Sequence, residues 1–372
     1  MKRLIKVILL ALVGMLLLSC TALAVESNID EYNKEYDVGK IYEYIDGETV
    51  QLLEEFGISE INARSIFSIT PDKVLGALFN ISTMAINKPI KFLVVAIGVI
   101  LLSSTASAFL PDNEIVGVVG SSALALCSAT AVAELVSTAI SVLQSLLFFT
   151  TGFAGIFSVI VSSTGSVNVG ISYGALTVFI NTILSGLLVD LSQPIVNALC
   201  SLGFLSCFDF YSYTERLSSL VKKLYVFLLS LAGTIFSGIV TLKGVVGGSI
   251  DSLGSRGAQF VIGQSLPIVG GAVSETYATL ITSLSLIKNT VGVFGIITVI
   301  VIILPILLEL FCWVFAFEVS LNIAQATGIN KAVGLMSILK DALTLLISTI
   351  VILTAVFIVS VGVCIAVKGS AV

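Results

Sequence analysis

The sequence predicts an all-α, polytopic helical membrane protein with about 7–9 transmembrane segments and a small polar region ahead of them. Three observations predict it. The 372 residues are 57% hydrophobic and 11% charged, with a mean hydropathy of +1.12, where soluble domains carry about 25% charged residues. The charges are unevenly placed, because residues 25–91 hold 12 of the 23 acids and 6 of the 18 bases. Beyond residue 91, uncharged runs recur at about the 20-residue length that a spanning helix needs.

Composition also excludes. The chain has no histidine, which removes Ser-His and Cys-His catalysis, HExxH zinc sites and histidine proton relays. The six cysteines (Cys20, Cys127, Cys200, Cys207, Cys312, Cys364) form no CxxC pair, and most sit in apolar runs, where they read as small buried hydrophobes. No metal or cofactor is expected. A net charge of −5 without a basic cluster argues against nucleic acid as a partner.

Residues 1–24 read as a signal peptide. Lys2, Arg3 and Lys6 precede an apolar core and then Ala22-Leu23-Ala24, an A-x-A cleavage site. A lipoprotein site at Leu17-Leu18-Ser19-Cys20 and an uncleaved anchor are the alternatives. Cleavage leaves 25–91 as an acidic, extracytoplasmic helical region. There Ile41, Ile45, Leu52 and Phe56 share a helical face, with Asp46-Gly47 as an interruption. Thr70-Pro71-Asp72 is a helix start: a hydroxyl cap, proline in the first turn and an acid beside it. The helix it opens is expected to end near Asn87-Lys88-Pro89.

The polytopic membrane domain is 92–372. Its uncharged runs are 92–110, 115–133, 135–189, 191–208, 224–242, 257–274, 289–308 and 342–367. The run 135–189 is long enough for two spans. With the acidic region outside, Arg216, Lys222, Lys223, Lys331 and Lys340 fall in the cytoplasm, and Lys243, Arg256, Lys288 and Lys368 outside. That agrees narrowly with the positive-inside rule, and Lys88 and Lys91 count against it. Residues 211–223 read either as an interfacial helix or as a basic flank of the next span.

Residues 257–287 hold the strongest irregularity. Arg256 and Glu275 bracket Gly263, Pro267 and the pair Gly270–Gly271 inside an apolar run. Unsatisfied backbone in hydrocarbon costs several kcal/mol per group, so a break there must be shielded by protein or face water. The segment reads as a re-entrant or broken helix turning around Pro267 to Gly271, of the kind that marks transport paths. The alternative is that its glycines permit close helix packing. In the next span Pro305, Glu309 and Trp313 recur on one helical face. An acid that deep usually faces a cavity or a partner. Glu309 and Glu318, nine residues apart, point to opposite faces.

The run "SRGAQFVIGQSLPIVGGAVSETYATLITSLSLIKNTVGVFGIITVI" resembles the stage III sporulation protein AE family of endospore-forming bacteria. The resemblance rests on Pro267 with Gly271, then Lys288-Asn289 and Val291-Gly292. It implies a component of a multiprotein, secretion-type channel in the mother-cell membrane around the forespore. The implied partners are the other subunits of that complex, including a cytoplasmic ATPase and membrane and intermembrane-space proteins, together with the lipid bilayer. No catalytic residues come with the family, and the chain is expected not to be an enzyme. A self-sufficient secondary transporter, with a site at 257–287 and Pro305/Glu309, is the alternative from another class.

Overall fold

Asp46 closes one helical turn and opens the next. A 3-10 helix spans Val38–Tyr44, and the Asp46 carboxylate then accepts hydrogen bonds from the Thr49 amide (2.8 Å) and hydroxyl (3.0 Å). This caps helix α1, Gly47–Glu55. The interruption read at Asp46-Gly47 is therefore an N-cap. Ile41, Ile45, Leu53 and Phe56 are buried, so Leu53 takes the inward place expected of Leu52. The computed structural model describes residues 38–61, 65–66, 71–109, 114–164, 170–171, 173–175, 188–208, 213–235 and 270–366.

Long helices make up the rest. They are α2 (Pro71–Phe109), α3 (Glu114–Ser163), α4 (Asp190–Leu205), α5 (Tyr213–Ile235), α6 (Gly270–Ala326) and α7 (Asn330–Ala366). Among the described residues there is no strand, and five helices are long and apolar enough to cross a membrane. The all-α polytopic class holds. α2 starts at Pro71, where the sequence places it.

Several expected boundaries do not exist. α2 does not end near Asn87-Lys88-Pro89 but runs through Pro89 to Phe109. The polar region and the first membrane segment thus share one helix. Runs 115–133 and 135–163 are one helix, unbroken at Glu134. Residues 213–223 continue into the following span as one helix, α5. The run 191–208 gives only the 16-residue α4. The reason is common to the three helices that continue. Where water cannot solvate an opened backbone, continuing the helix costs less than breaking it, even across one proline or one charge.

Neighbouring helices alternate in direction. Lys88 meets Glu134 and Ser103 meets Gly120, so α2 and α3 are antiparallel. Glu318 meets Lys340 and Gly292 meets Ile365, so α6 and α7 are antiparallel too. α6 packs on α7, α2 and α3, and α7 packs on α4 and α3. One end of the bundle holds the 38–61 segment and the start of α2. The opposite end holds the end of α2, the start of α3 and the α6–α7 connection, with Lys331 beside Gly117. Arg216, Lys222, Lys223, Lys331 and Lys340 all belong to that second half of the bundle.

Candidate functional site

Two nodes gather Lys288, Asn289, Pro305 and Glu309 from among the residues the sequence singled out. The first lies where α3, α6 and α7 meet, around Lys288 to Gly295. Gly292 is buried, and a Cβ there would strike Ile365 of α7, with Phe157 of α3 at 3.2 Å. Gly295 lies flat against the Phe153 ring, closer than any Cβ allows. The rings of Phe149, Phe153 and Phe157 run in series along α3, and Phe149 and Phe153 both touch Phe357 of α7. Small residues here let helix backbones approach closely, the packing that holds helices together in lipid.

Lys288 is almost fully buried (2% exposed) in this node, with the Cys364 thiol of α7 within electrostatic reach. Asn289 is exposed beside it. The 38–61 segment docks onto the same node. The Tyr42 ring contacts Phe294 at 5.7 Å, and the Tyr44 ring contacts Phe148 at 5.3 Å while lying over Gly152. Burial, with Glu60 and Glu54 nearby, pushes the Tyr42 phenol above its ordinary range, so the docked ring stays neutral. The helical period of 41, 45 and 56 is legible in sequence. Which rings cross to α3 and α6 is not, because Tyr42 and Tyr44 carry no pattern of their own.

The second node is built around Glu309. Its carboxylate lies beside the Trp313 indole and within electrostatic reach of Lys88 and Glu134. Lys88 donates to Glu134 at 2.8 Å across α2 and α3. Trp313 is buried against Phe92 (5.3 Å) and Phe317 (5.7 Å). Three helices thus bring charges to one level, and on α6 Glu309 is the one charge between Lys288 and Glu318. Pro305, one turn before it, leaves the Val301 carbonyl without its helical donor. On this face of α6 Trp313 is buried, and Pro305 and Glu309 are half-buried. Lys88 and Glu134 had read as a helix end and a span end, so their meeting with Glu309 was hidden.

Glu318, on the other face of α6, pairs with Lys340 of α7 at 2.8 Å. The next residue, Asp341, pairs with Lys222 of α5 at 2.6 Å. Deeper between α4, α5 and α7, the Tyr225 hydroxyl joins Ser192 and Thr349 in a buried polar link. Opposite faces for Glu309 and Glu318 are borne out.

The broken segment is only partly in view. Gly270 and Gly271 open α6, which runs without a break through Glu275, Lys288, Asn289, Pro305 and Glu309 to Ala326. Residues 270–287 are therefore continuous with the next span. Arg256, Gly263 and Pro267 lie outside the described residues, and so do the turn expected at Pro267 and the signal peptide. Among the described residues no group of His, Cys, Asp and Glu side chains is arranged to hold a metal ion.

Comparison with known proteins gives one consistent result. The family model for stage III sporulation protein AE matches residues 51–368, from α1 to beyond α7. Stage III sporulation protein AE of Bacillus subtilis (strain 168) is 22% identical over 206 residues, 55% of this chain and 51% of that relative. The chain thus spans about half the length of the curated relative it matches. No solved structure matches.

Proposed function

Because the chain belongs to the stage III sporulation protein AE family, we propose that it is an integral membrane subunit of a multiprotein sporulation channel joining mother cell and forespore. The family match across all the long helices carries this reading. Helix length supports it. At about 1.5 Å per residue, the 57 residues of α6 extend about 85 Å and the 50 of α3 about 75 Å. The hydrocarbon core is about 30 Å thick, so much of each helix lies beyond a single bilayer even when tilted. A subunit that reaches between two membranes has a use for such length.

On this reading the protein sits in the mother-cell membrane around the forespore and supports forespore development after engulfment. Its partners are the other subunits of the complex, among them membrane and intermembrane-space proteins. A cytoplasmic ATPase supplies the energy, since the sequence has no nucleotide-binding loop. The protein itself is a structural and path-forming component rather than an enzyme. Deleting the gene in its host tests this: heat-resistant spores are lost, arrest follows engulfment, and vegetative growth stays normal. Normal sporulation overturns it.

Gly271→Leu, complementing the deletion, is expected to lower spore counts far more than Gly98→Leu. Equal effects remove the shielded-turn reading of 257–287. A self-sufficient secondary transporter is favoured only by the meeting of Lys88, Glu134 and Glu309. That reading requires Glu309, and Glu309→Gln with full spore counts removes it.

A further inference from the structure

A groove of about 570 Å³ lies between α5 and α7, away from both nodes. Its chemistry changes in order along the helices. Glu215 stands at its outer end, on the side of the α6–α7 connection. Ser218 and Ser219 come next on α5, facing Ser337 of α7. One turn deeper are Lys222, Lys223 and Asp341, and beyond them Val226 and Phe227.

The charges in the groove are not equivalent. Lys222 and Asp341 neutralise each other at 2.6 Å. That leaves one carboxylate, Glu215, at the mouth and one exposed ammonium, Lys223, two turns deeper. The Ser219 and Ser337 hydroxyls between them make no hydrogen bond within the described residues. The apolar floor continues down α5, where Val226 (42%), Phe227 (61%) and Leu231 (45%) are exposed.

We propose that this groove binds a zwitterionic aminophospholipid, with its primary ammonium at Glu215, its phosphate at Lys223 and the two serines, and its acyl chains along Val226 and Phe227. The axial order carries the assignment: anion, hydroxyls, cation, hydrocarbon. A bilayer lipid presents the complementary order from headgroup to tail. An anionic lipid without an ammonium leaves Glu215 facing a phosphate, and a quaternary amine offers Glu215 no N–H donor. The groove thus distinguishes headgroups that share the same phosphate.

The test uses the full chain, purified in detergent and freed of lipid. Phosphatidylethanolamine, phosphatidylglycerol and phosphatidylcholine with identical acyl chains are offered in competition, and native mass spectrometry counts what is retained. Phosphatidylethanolamine is expected to be retained about tenfold over the other two, the size of one charge-assisted hydrogen bond. Glu215→Gln brings the three lipids to parity. Lys223→Gln weakens all three together. Arg216→Gln, on the same helix but outside the groove, changes nothing. Equal retention of the three headgroups by the native chain overturns the proposal. So does a preference that survives Glu215→Gln in protein whose helical circular dichroism matches that of the native chain.

Discussion

α6 and α7 differ from the helices around them in what their apolar residues touch. In the most apolar 18-residue stretch of each, 56% of α6 and 61% of α7 is buried within the protein. For α2, α3 and α5 the figures are 22%, 28% and 17%. All five are hydrophobic enough to span a bilayer, and the inner pair is also the most apolar, with mean hydropathies of 3.0 and 2.7 against 2.2, 1.9 and 1.3 for the outer three. The difference lies in small residues, aromatic rings and polar links. Those of the inner pair meet other helices, while Leu102 (72% exposed), Leu126 (76%) and Phe227 (61%) on the outer ones face outward. Lipid tails are as apolar as leucine, so packing quality rather than water exclusion holds the inner pair together.

Three measurements break or sharpen this contrast. The largest effect is expected from adding bulk. Gly295→Leu drives a side chain into the Phe153 ring, and overpacking of this kind costs about 3 kcal/mol or more. Gly98→Leu on α2, with no atom within 4 Å of the added Cβ, costs about 0.5 kcal/mol or less, as outward-facing changes do. Thermal unfolding of both variants in detergent decides the matter, and similar melting temperatures erase the division into inner and outer helices.

A smaller separation is expected between ion pairs. Lys340→Met leaves Glu318 unpaired where both side chains are partly buried, at 23% and 38% exposed. The expected loss is about 1–2 kcal/mol. Lys88→Met removes a pair that is 57% and 64% exposed. Solvent screening makes it the weaker of the two, and denaturant titration ranks them. If the outer pair proves the stronger, Glu309 adds to it more than its separation implies.

The smallest effect is local. Asp46→Ala removes the cap of α1 and costs about 1 kcal/mol. It is read as faster protease cleavage within 38–61, with the melting of the long helices unchanged. Equal loss throughout places the docked segment in the same cooperative unit as α3 and α6.

The class of fold was legible because it depends on summed hydropathy, and the start of α2 because Thr70-Pro71-Asp72 is a local signal. The opposite faces of Glu309 and Glu318 follow from helical period alone. Helix continuity through Pro89 and Glu134 was not legible, because a proline or an acid ends a helix only where the exposed backbone finds water. Nor was the second node, since Lys88, Glu134 and Glu309 are separated by 46 and 175 positions in sequence. The motif Lys288-Asn289 with Val291-Gly292 was visible as a family mark. Its physical content, a close-packed junction of three helices, needed the neighbours in place.

Lys340 and Asp341 are adjacent on α7 yet bind in different directions, one to α6 and one to α5. Successive residues of a helix project about 100° apart. Turning α7 about its axis to improve one pair therefore worsens the other, and sliding it along its length strains both together. The two pairs act as a key in a slot that fixes the azimuth and the height of α7. The links are in series, so α5 cannot move against α6 without giving up at least one of the two pairs.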